Sequence, residues 1–300
     1  MPLNGVTLGI GDDAAVLKGT TGEWIWTIDA CVEDVHFRTK WLTGEELGWR
    51  SYNAALSDLA AMGARPIGAL SSLALPATMD SKFWQGIARG QARAAKVLGC
   101  PVIGGNITRA TQISIHTTAI GQTKSPILRE GAQPSDEIWL VGNVGAAAAG
   151  LNVLMQVSEA KWDTDMRACV RAWRQPRALI AQGLALIGRA HSCIDISDGL
   201  SGDARHIANA SNVALVLDEP SLVRAILPRV KRVAMRLGGS ALDWALGGGE
   251  DYALLATGPA RMRPAFARCI GTVQQGRGVW LERTPGERIS VQAGFDHFAP

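Results

Sequence analysis

The sequence predicts a two-domain protein of mixed helix and strand, α/β or α+β, and three observations carry that prediction. Its 300 residues are about twice the usual length of one domain, enough to bury two cores. Short apolar runs with period-2 alternation are interleaved with helical periodicity, the pattern of strands and helices that share layers. Between Thr123 and Ser135 the pattern is interrupted at Pro126, Gly131 and Pro134, which places a first domain over residues 1–124 and a second over 125–300.

Taken in order, strands are expected over Glu23–Asp29, Ile67–Leu75, Val102–Ile103, Ile113–Gln122 and Glu137–Val141, then over Ser192–Ile196, Val213–Leu217 and Tyr252–Thr257. Thr43 and Glu46 form a capping box, and Tyr52, Leu56 and Leu59 then repeat at i, i+4 and i+7 until Gly63, so a helix is expected over Thr43–Met62. Gly145–Val157 and Pro176–Arg189 also read as helices, the second with proline in its first turn. A further helix is expected to start near Ser201.

Composition excludes several classes. Net charge is only +3 and the basic residues are dispersed; the densest group, Arg224 to Arg236, reads as a solvated helix face, so no nucleic-acid footprint is expected. There is no leader-like opening and no apolar run of the roughly 18 residues that span a bilayer, so neither secretion nor membrane insertion is expected. Five scattered cysteines without a C-x-x-C pair argue against a disulfide framework or a zinc knuckle and suit a reducing cytoplasm. The 34 glycines exceed the usual background, and their grouping beside acidic residues suggests backbone held close to a ligand such as phosphate. Neither a Walker A loop nor a strand-borne G-x-G-x-x-G occurs, so a nucleotide site must be built another way.

The chemistry lies in carboxylates at the ends of expected elements: Asp12-Asp13, Asp29, Asp58, Asp195 with Asp198, and Glu250-Asp251. Strand alternation puts Thr27 and Asp29 on one face. Helical spacing puts Asp58 beside Ala54, Ala55, Ala61 and Met62, a small apolar face on which a carboxylate calls for a cation. Singly, each aspartate also suits a cap or a turn, Asp198 for the helix near Ser201 among them. Jointly they would repel by roughly 4 kcal/mol per pair at 4 Å and an effective dielectric of 20, unless divalent cations neutralise them. Oxygen-only ligation selects magnesium, manganese or calcium, and magnesium held by carboxylates commonly also holds the phosphates of a nucleotide.

Five motifs sharpen this reading. In order they are Gly9-Ile10-Gly11-Asp12-Asp13-Ala14-Ala15-Val16-Leu17, Asp29 through Val35-His36-Phe37, Leu56-Ser57-Asp58-Leu59-Ala60-Ala61-Met62-Gly63-Ala64, Ile194-Asp195-Ile196-Ser197-Asp198-Gly199-Leu200, and Gly248-Gly249-Glu250-Asp251-Tyr252. In order and spacing the chain resembles the thiamine-monophosphate kinases, a family related to AIR synthase, selenophosphate synthetase and the hydrogenase-maturation dehydratase. The resemblance runs from about Leu8 to Phe295-Asp296-His297-Phe298. It implies an AIR-synthase-like fold, with an N-terminal sheet that pairs across a homodimer into a barrel and a C-terminal α+β domain. It implies several magnesium ions held by Asp13, Thr27, the Ile28 carbonyl, Asp29, Asp58, Asp195 and Asp198, with Asp29, Asp58 and Asp198 acting in catalysis through metal. It implies nucleotide contacts from Gly105, Asn106, Arg129 and Ser197, and thiamine-phosphate contacts from His36, Glu250 and Phe295. Without it, His36 reads as structural, Arg129 as a solvated loop residue and Phe295 as packing. One departure stands out: the family usually carries Gly-Gly-Asp-Thr where this chain has Gly104-Gly105-Asn106-Ile107.

The expected activity is transfer of the γ-phosphoryl group of ATP to thiamine monophosphate in the cytoplasm. Two alternatives are a related phosphotransferase acting on another small molecule and a nucleotide-binding homodimer without turnover.

Overall fold

The computed structural model describes residues 6–8, 12–19 and 21–291, and the chain divides into two compact units. The first comprises Met1–Pro126 and Arg174–Leu184, the second Ile127–Trp173 and Ala185–Pro300. The division falls two residues beyond the expected boundary, and a short later segment returns to the first unit.

The first unit contains β1 (Val6–Leu8), β2 (Ala15–Lys18), β3 (Glu23–Val32), α1 (Gly44–Ala61), β4 (Arg65–Pro76), α2 (Ser81–Leu98), β5 (Val102–Ala110) and β6 (Ser114–Thr123). Its sheet runs β1-β2-β3-β6-β4-β5, and α2 forms the crossover that lets β4 and β5 run parallel. The expected capping box is present: the Glu46 backbone N–H donates to Thr43 Oγ1 at 3.2 Å, and the Thr43 N–H donates to Glu46 Oε2 at 2.9 Å. Met62 closes α1, as the spacing predicts. Burial alternates along β3, with Ile25, Thr27 and Cys31 inside and Trp24, Trp26 and Ile28 outside. The inner face packs under α1, where Leu59 reaches Gly121 of β6.

A share of the glycine excess belongs to the packing of α1 on α2. Gly44 and Gly48 face the backbone of Phe83 and Ile87, while Gly86 and Gly90 face Gly44 and Glu45. Those glycines let two helix backbones touch, a second use of glycine beside the turns near acidic residues.

The second unit contains β7 (Glu137–Val141), α3 (Ala146–Gln156), α4 (Thr164–Arg174), α5 (Ile180–Leu186), β8 (Ser192–Ile196), α6 (Leu200–Ser211), β9 (Ala214–Asp218), α7 (Glu219–Ala225), α8 (Pro228–Leu237), α9 (Ala241–Gly247), β10 (Ala253–Gly258), β11 (Ala267–Gln274), β12 (Gly278–Thr284) and β13 (Glu287–Ser290); α4 ends and α5 begins in the segment that returns to the first unit. Its sheet runs β13-β12-β9-β11-β7-β10-β8, antiparallel except where β12 lies parallel to β9. Ile138, Leu140, Ile194, Ile196, Leu215, Leu217 and Leu255 supply the strand side of the core, against Val153, Val170 and Ile207 from helices. Arg229, Lys231, Arg232 and Arg236 of α8 are exposed, the solvated face expected of that basic run. The five cysteines are free thiols.

Three expectations are corrected. The helix expected over Pro176–Arg189 is only α5, because residues 176–179 are held outside a helical ladder: the Pro176 carbonyl accepts from Trp49 Nε1 at 2.7 Å and the Ala178 N–H donates to Asn53 Oδ1 at 3.0 Å. Asp198 does not cap the next helix; Gly199 stands at that position with φ 106°. The strand expected from Tyr252 starts one residue later, since Tyr252 has φ 49°.

Candidate active-site residues

In the first unit, β3, α1 and the segment leading into β2 bring three predicted ligands together. Thr27 Oγ1 donates to Asp58 Oδ2 and lies 3.4 Å from the Asp13 carbonyl. Asp13 and Asp58 each present a carboxylate oxygen, and these lie within 4.8 Å of one another. At that separation and an effective dielectric of about 20 the two charges repel by roughly 3.5 kcal/mol. Residues 51–57 and 59–61 of α1 are all buried, whereas Asp58 is half-buried, so the helix opens to solvent at its one carboxylate in that stretch. Oxygen donors on two strained anions fit a hard divalent cation.

Asp29 shares the Thr27 face two residues on, and its Oδ1 accepts from the Ala30 N–H at 2.8 Å. β2 ladders with β3 from Glu23 to Trp26, and the Ile28 side chain points outward and is 65% exposed. His36 Nδ1 accepts from the Val32 N–H at 3.1 Å, which in the neutral ring puts the proton on Nε2.

Gly105 has φ 155°, and a Cβ there would press on the Ser71 backbone of β4; close strand approach alone requires glycine. Asn106 is in the edge strand β5, without positive φ, so a left-handed turn does not explain it. Register aligns it with Ser72 of β4 and His116 of β6, the row opposite in face to Gly105, Ser71, Thr117 and Asp29. The sheet therefore does not bring Asn106 onto the face of Thr27 and Asp29.

In the second unit, Asp195 stands in β8 at 4% exposure, paired in register with Leu254. Ser197 and Asp198 form the following turn, which is tied to the Gly-Gly-Glu-Asp-Tyr turn: the Glu250 N–H donates to Ser197 O at 2.7 Å and the Tyr252 N–H to Ile196 O at 2.9 Å. Glu250 and Tyr252 have φ 68° and 49°, backbone that side chains adopt only when neighbours impose it. Desolvation lowers the His206 imidazole pKa, Arg129 adds to the fall and Asp198 opposes it, so both predicted residues lie within electrostatic reach of one ring. Phe295 and Gly9 to Gly11 lie outside the described residues.

The family models for AIR synthase related proteins match this chain, the N-terminal domain over residues 11–123 and the C-terminal domain over 133–256. The thiamine-monophosphate kinase of Aquifex aeolicus is 31% identical over 96% of this chain and 92% of its own length. The chain belongs to the thiamine-monophosphate kinase family. The Mycobacterium tuberculosis member is 33% identical over 98% of this chain and 86% of its own length. A solved structure of AaThiL complexed with AMPPCP and TMP superposes with a TM-score of 0.91, at 31% identity and covering 96% of this chain and 92% of that chain.

Two residues near the family's fifth motif carry interactions that the sequence does not announce. Trp173 Nε1 donates to Glu250 Oε2 at 2.7 Å; the spacing of Met166, Cys169, Val170 and Trp173 marks a helix face but not that partner. Asp251 takes the Gly145 N–H at 2.6 Å and the Ala147 N–H at 2.9 Å, closing the start of α3. Burial pushes its carboxyl up to about 7, against the pull of the Ala147, Gly145 and Ala146 backbone and with Glu250 adding to the rise. A carboxyl raised on folding retains a proton that the unfolded chain has released, so its contribution favours folding at low pH and is lost as pH rises from about 4 to about 7. Asp251→Asn is therefore expected to gain in unfolding midpoint relative to the parent chain by several degrees across that window. Parallel midpoint-against-pH curves for the two proteins would contradict the assignment.

Proposed function

We propose that this chain transfers the γ-phosphoryl group of ATP directly to the phosphate of thiamine monophosphate, giving thiamine diphosphate and ADP. The observation that carries the reading is the Asp13, Thr27 and Asp58 group in a chain whose relatives are thiamine-monophosphate kinases.

The all-oxygen donor set fits magnesium better than zinc. Asp13, Thr27, the Ile28 carbonyl, Asp29 and Asp58 in the first unit, and Asp195 and Asp198 in the second, are the residues that would hold several such ions. Magnesium, when bound, neutralises phosphate charge. The chain itself orients the reactants: Gly105, Arg129 and Ser197 toward the nucleotide, and His36, Glu250 and Phe295 toward the acceptor, while Asn106, the neutral counterpart of the family's aspartate, lies on the sheet face opposite to Thr27 and Asp29. An acceptor phosphate oxygen is already anionic, so no side chain has to act as nucleophile. It bonds to the γ-phosphorus as the bond to the β,γ-bridging oxygen breaks, and ADP leaves; alignment of two polyanions in line is the main requirement.

The outer face of the first sheet carries Trp24, Trp26, Ile28 and Leu70 in exposed positions, which supports a second copy of this chain as its partner. Among the described residues no helix is long and apolar enough to cross a membrane.

The test is ADP release with ATP and magnesium, with and without thiamine monophosphate, and with other phosphorylated acceptors. Release that depends on thiamine monophosphate is expected. Turnover only with another acceptor would reassign the substrate, and ATP binding without release would leave a nucleotide-binding protein.

A further inference from the structure

We infer that Trp173 is a positioning residue, which holds the Glu250 carboxylate in the orientation that receives the cationic end of the acceptor. The inference rests on the reading of Glu250 as an acceptor contact.

Trp173 lies in the last turn of α4 and is 1% exposed, so its ring has little freedom to turn. An indole offers one donor and no acceptor, and that donor is spent on Glu250 Oε2 at 2.7 Å. The backbone under Glu250 is equally constrained. Its N–H is bonded to Ser197 O, its φ is 68°, and a Cβ on the preceding Gly249 would meet the same Ser197 carbonyl. The turn thus sets where the glutamate leaves the chain, and the indole sets where its carboxylate ends. Ordering the three torsions of a glutamate side chain at each encounter would weaken binding.

Packing alone does not require this arrangement. Met166, Cys169 and Val170 already seat α4 in the core, and a buried indole N–H could have been satisfied by a backbone carbonyl, as Trp49 is by Pro176. A buried ring that spends its one donor on a half-exposed carboxylate of the family's fifth motif controls that carboxylate.

The test compares the parent chain, Trp173→Phe, Glu250→Gln and the double variant by their KM values for thiamine monophosphate and for ATP. Trp173→Phe keeps the ring and removes the donor. It is expected to raise the KM for thiamine monophosphate about tenfold, as for loss of a hydrogen bond to a charged group, and to leave the KM for ATP within about twofold. In the Glu250→Gln background the same change should add little, because the two residues act as one device. If Glu250→Gln raises that KM and Trp173→Phe does not, the positioning role is overturned. If Glu250→Gln itself changes nothing, the reading of Glu250 falls instead. Should Trp173→Phe not fold, the Trp173 indole N–H resonance of the parent chain decides: a shift on adding thiamine monophosphate but not on adding ATP supports the role, and no shift overturns it.

Discussion

Asp58→Asn is expected to lower kcat by about three orders of magnitude while leaving the protein folded, the range seen when one electrostatic contact to developing charge is removed. The two halves of that expectation come from the same geometry. Asp58 is the half-buried carboxylate on an otherwise buried stretch of α1, close to Asp13 and bonded by Thr27. As an anion it suits a divalent cation; as an amide it keeps an oxygen for Thr27 but loses the charge. In the absence of magnesium the variant should be at least as stable as the parent, since the repulsion between Asp58 and Asp13, roughly 3.5 kcal/mol at an effective dielectric of about 20, is removed. Added magnesium should raise the unfolding midpoint of the parent more than that of the variant, because a ligand stabilises the state that binds it. An Asp58→Asn protein with the parent's kcat at saturating magnesium would take Asp58 out of the mechanism, and one that fails to fold would show the carboxylate to be structural.

What the sequence made legible follows from the range of the signal. Capping chemistry is local, so α1 was readable to its Thr43 cap and Met62 end. Apolar runs marked β7 and β8 at their observed limits. The strands β1 and β2, of three and four residues, are shorter than one clear alternation, and β11 to β13 carry polar positions that blur it. For the site, alternation was enough to put Thr27 and Asp29 on one face, and helical spacing enough to single out Asp58. It could not foresee that Asn106 falls in a row facing away from them, because that depends on the register of β5 against β4, which the bulge between Ala69 and Leu70 shifts. Nor could it pair Trp173 with Glu250, 77 positions apart.

The glycines between α1 and α2, whose role depends on a partner helix that local pattern does not show, give the largest expected effect on stability. Gly48→Ala should destabilise the first unit by about 3 kcal/mol or more, the upper range for overpacking, even though alanine is the better helix former by about 1 kcal/mol. The added methyl would meet the Ile87 carbonyl of α2, with Ile87 C at 2.8 Å and Gln91 N at 3.0 Å. These are backbone atoms, so no side-chain rotation relieves the contact; one helix must move off the other. Gly99→Ala is the matched comparison. Gly99 has φ 66° and nothing within 4 Å of the added atom, so only the left-handed backbone is penalised, by about 1 kcal/mol. Urea unfolding of both variants reads the difference directly, and a Gly48→Ala midpoint no lower than that of Gly99→Ala would mean that α1 and α2 are free to separate. A second readout ties the crossing to the site. Asp58 lies ten residues beyond Gly48 on the same helix, about 15 Å along its axis, so a displaced α1 carries its carboxylate away from Thr27 and Asp13. The folded fraction of Gly48→Ala should therefore lose turnover as well as stability, whereas folded Gly99→Ala should keep it.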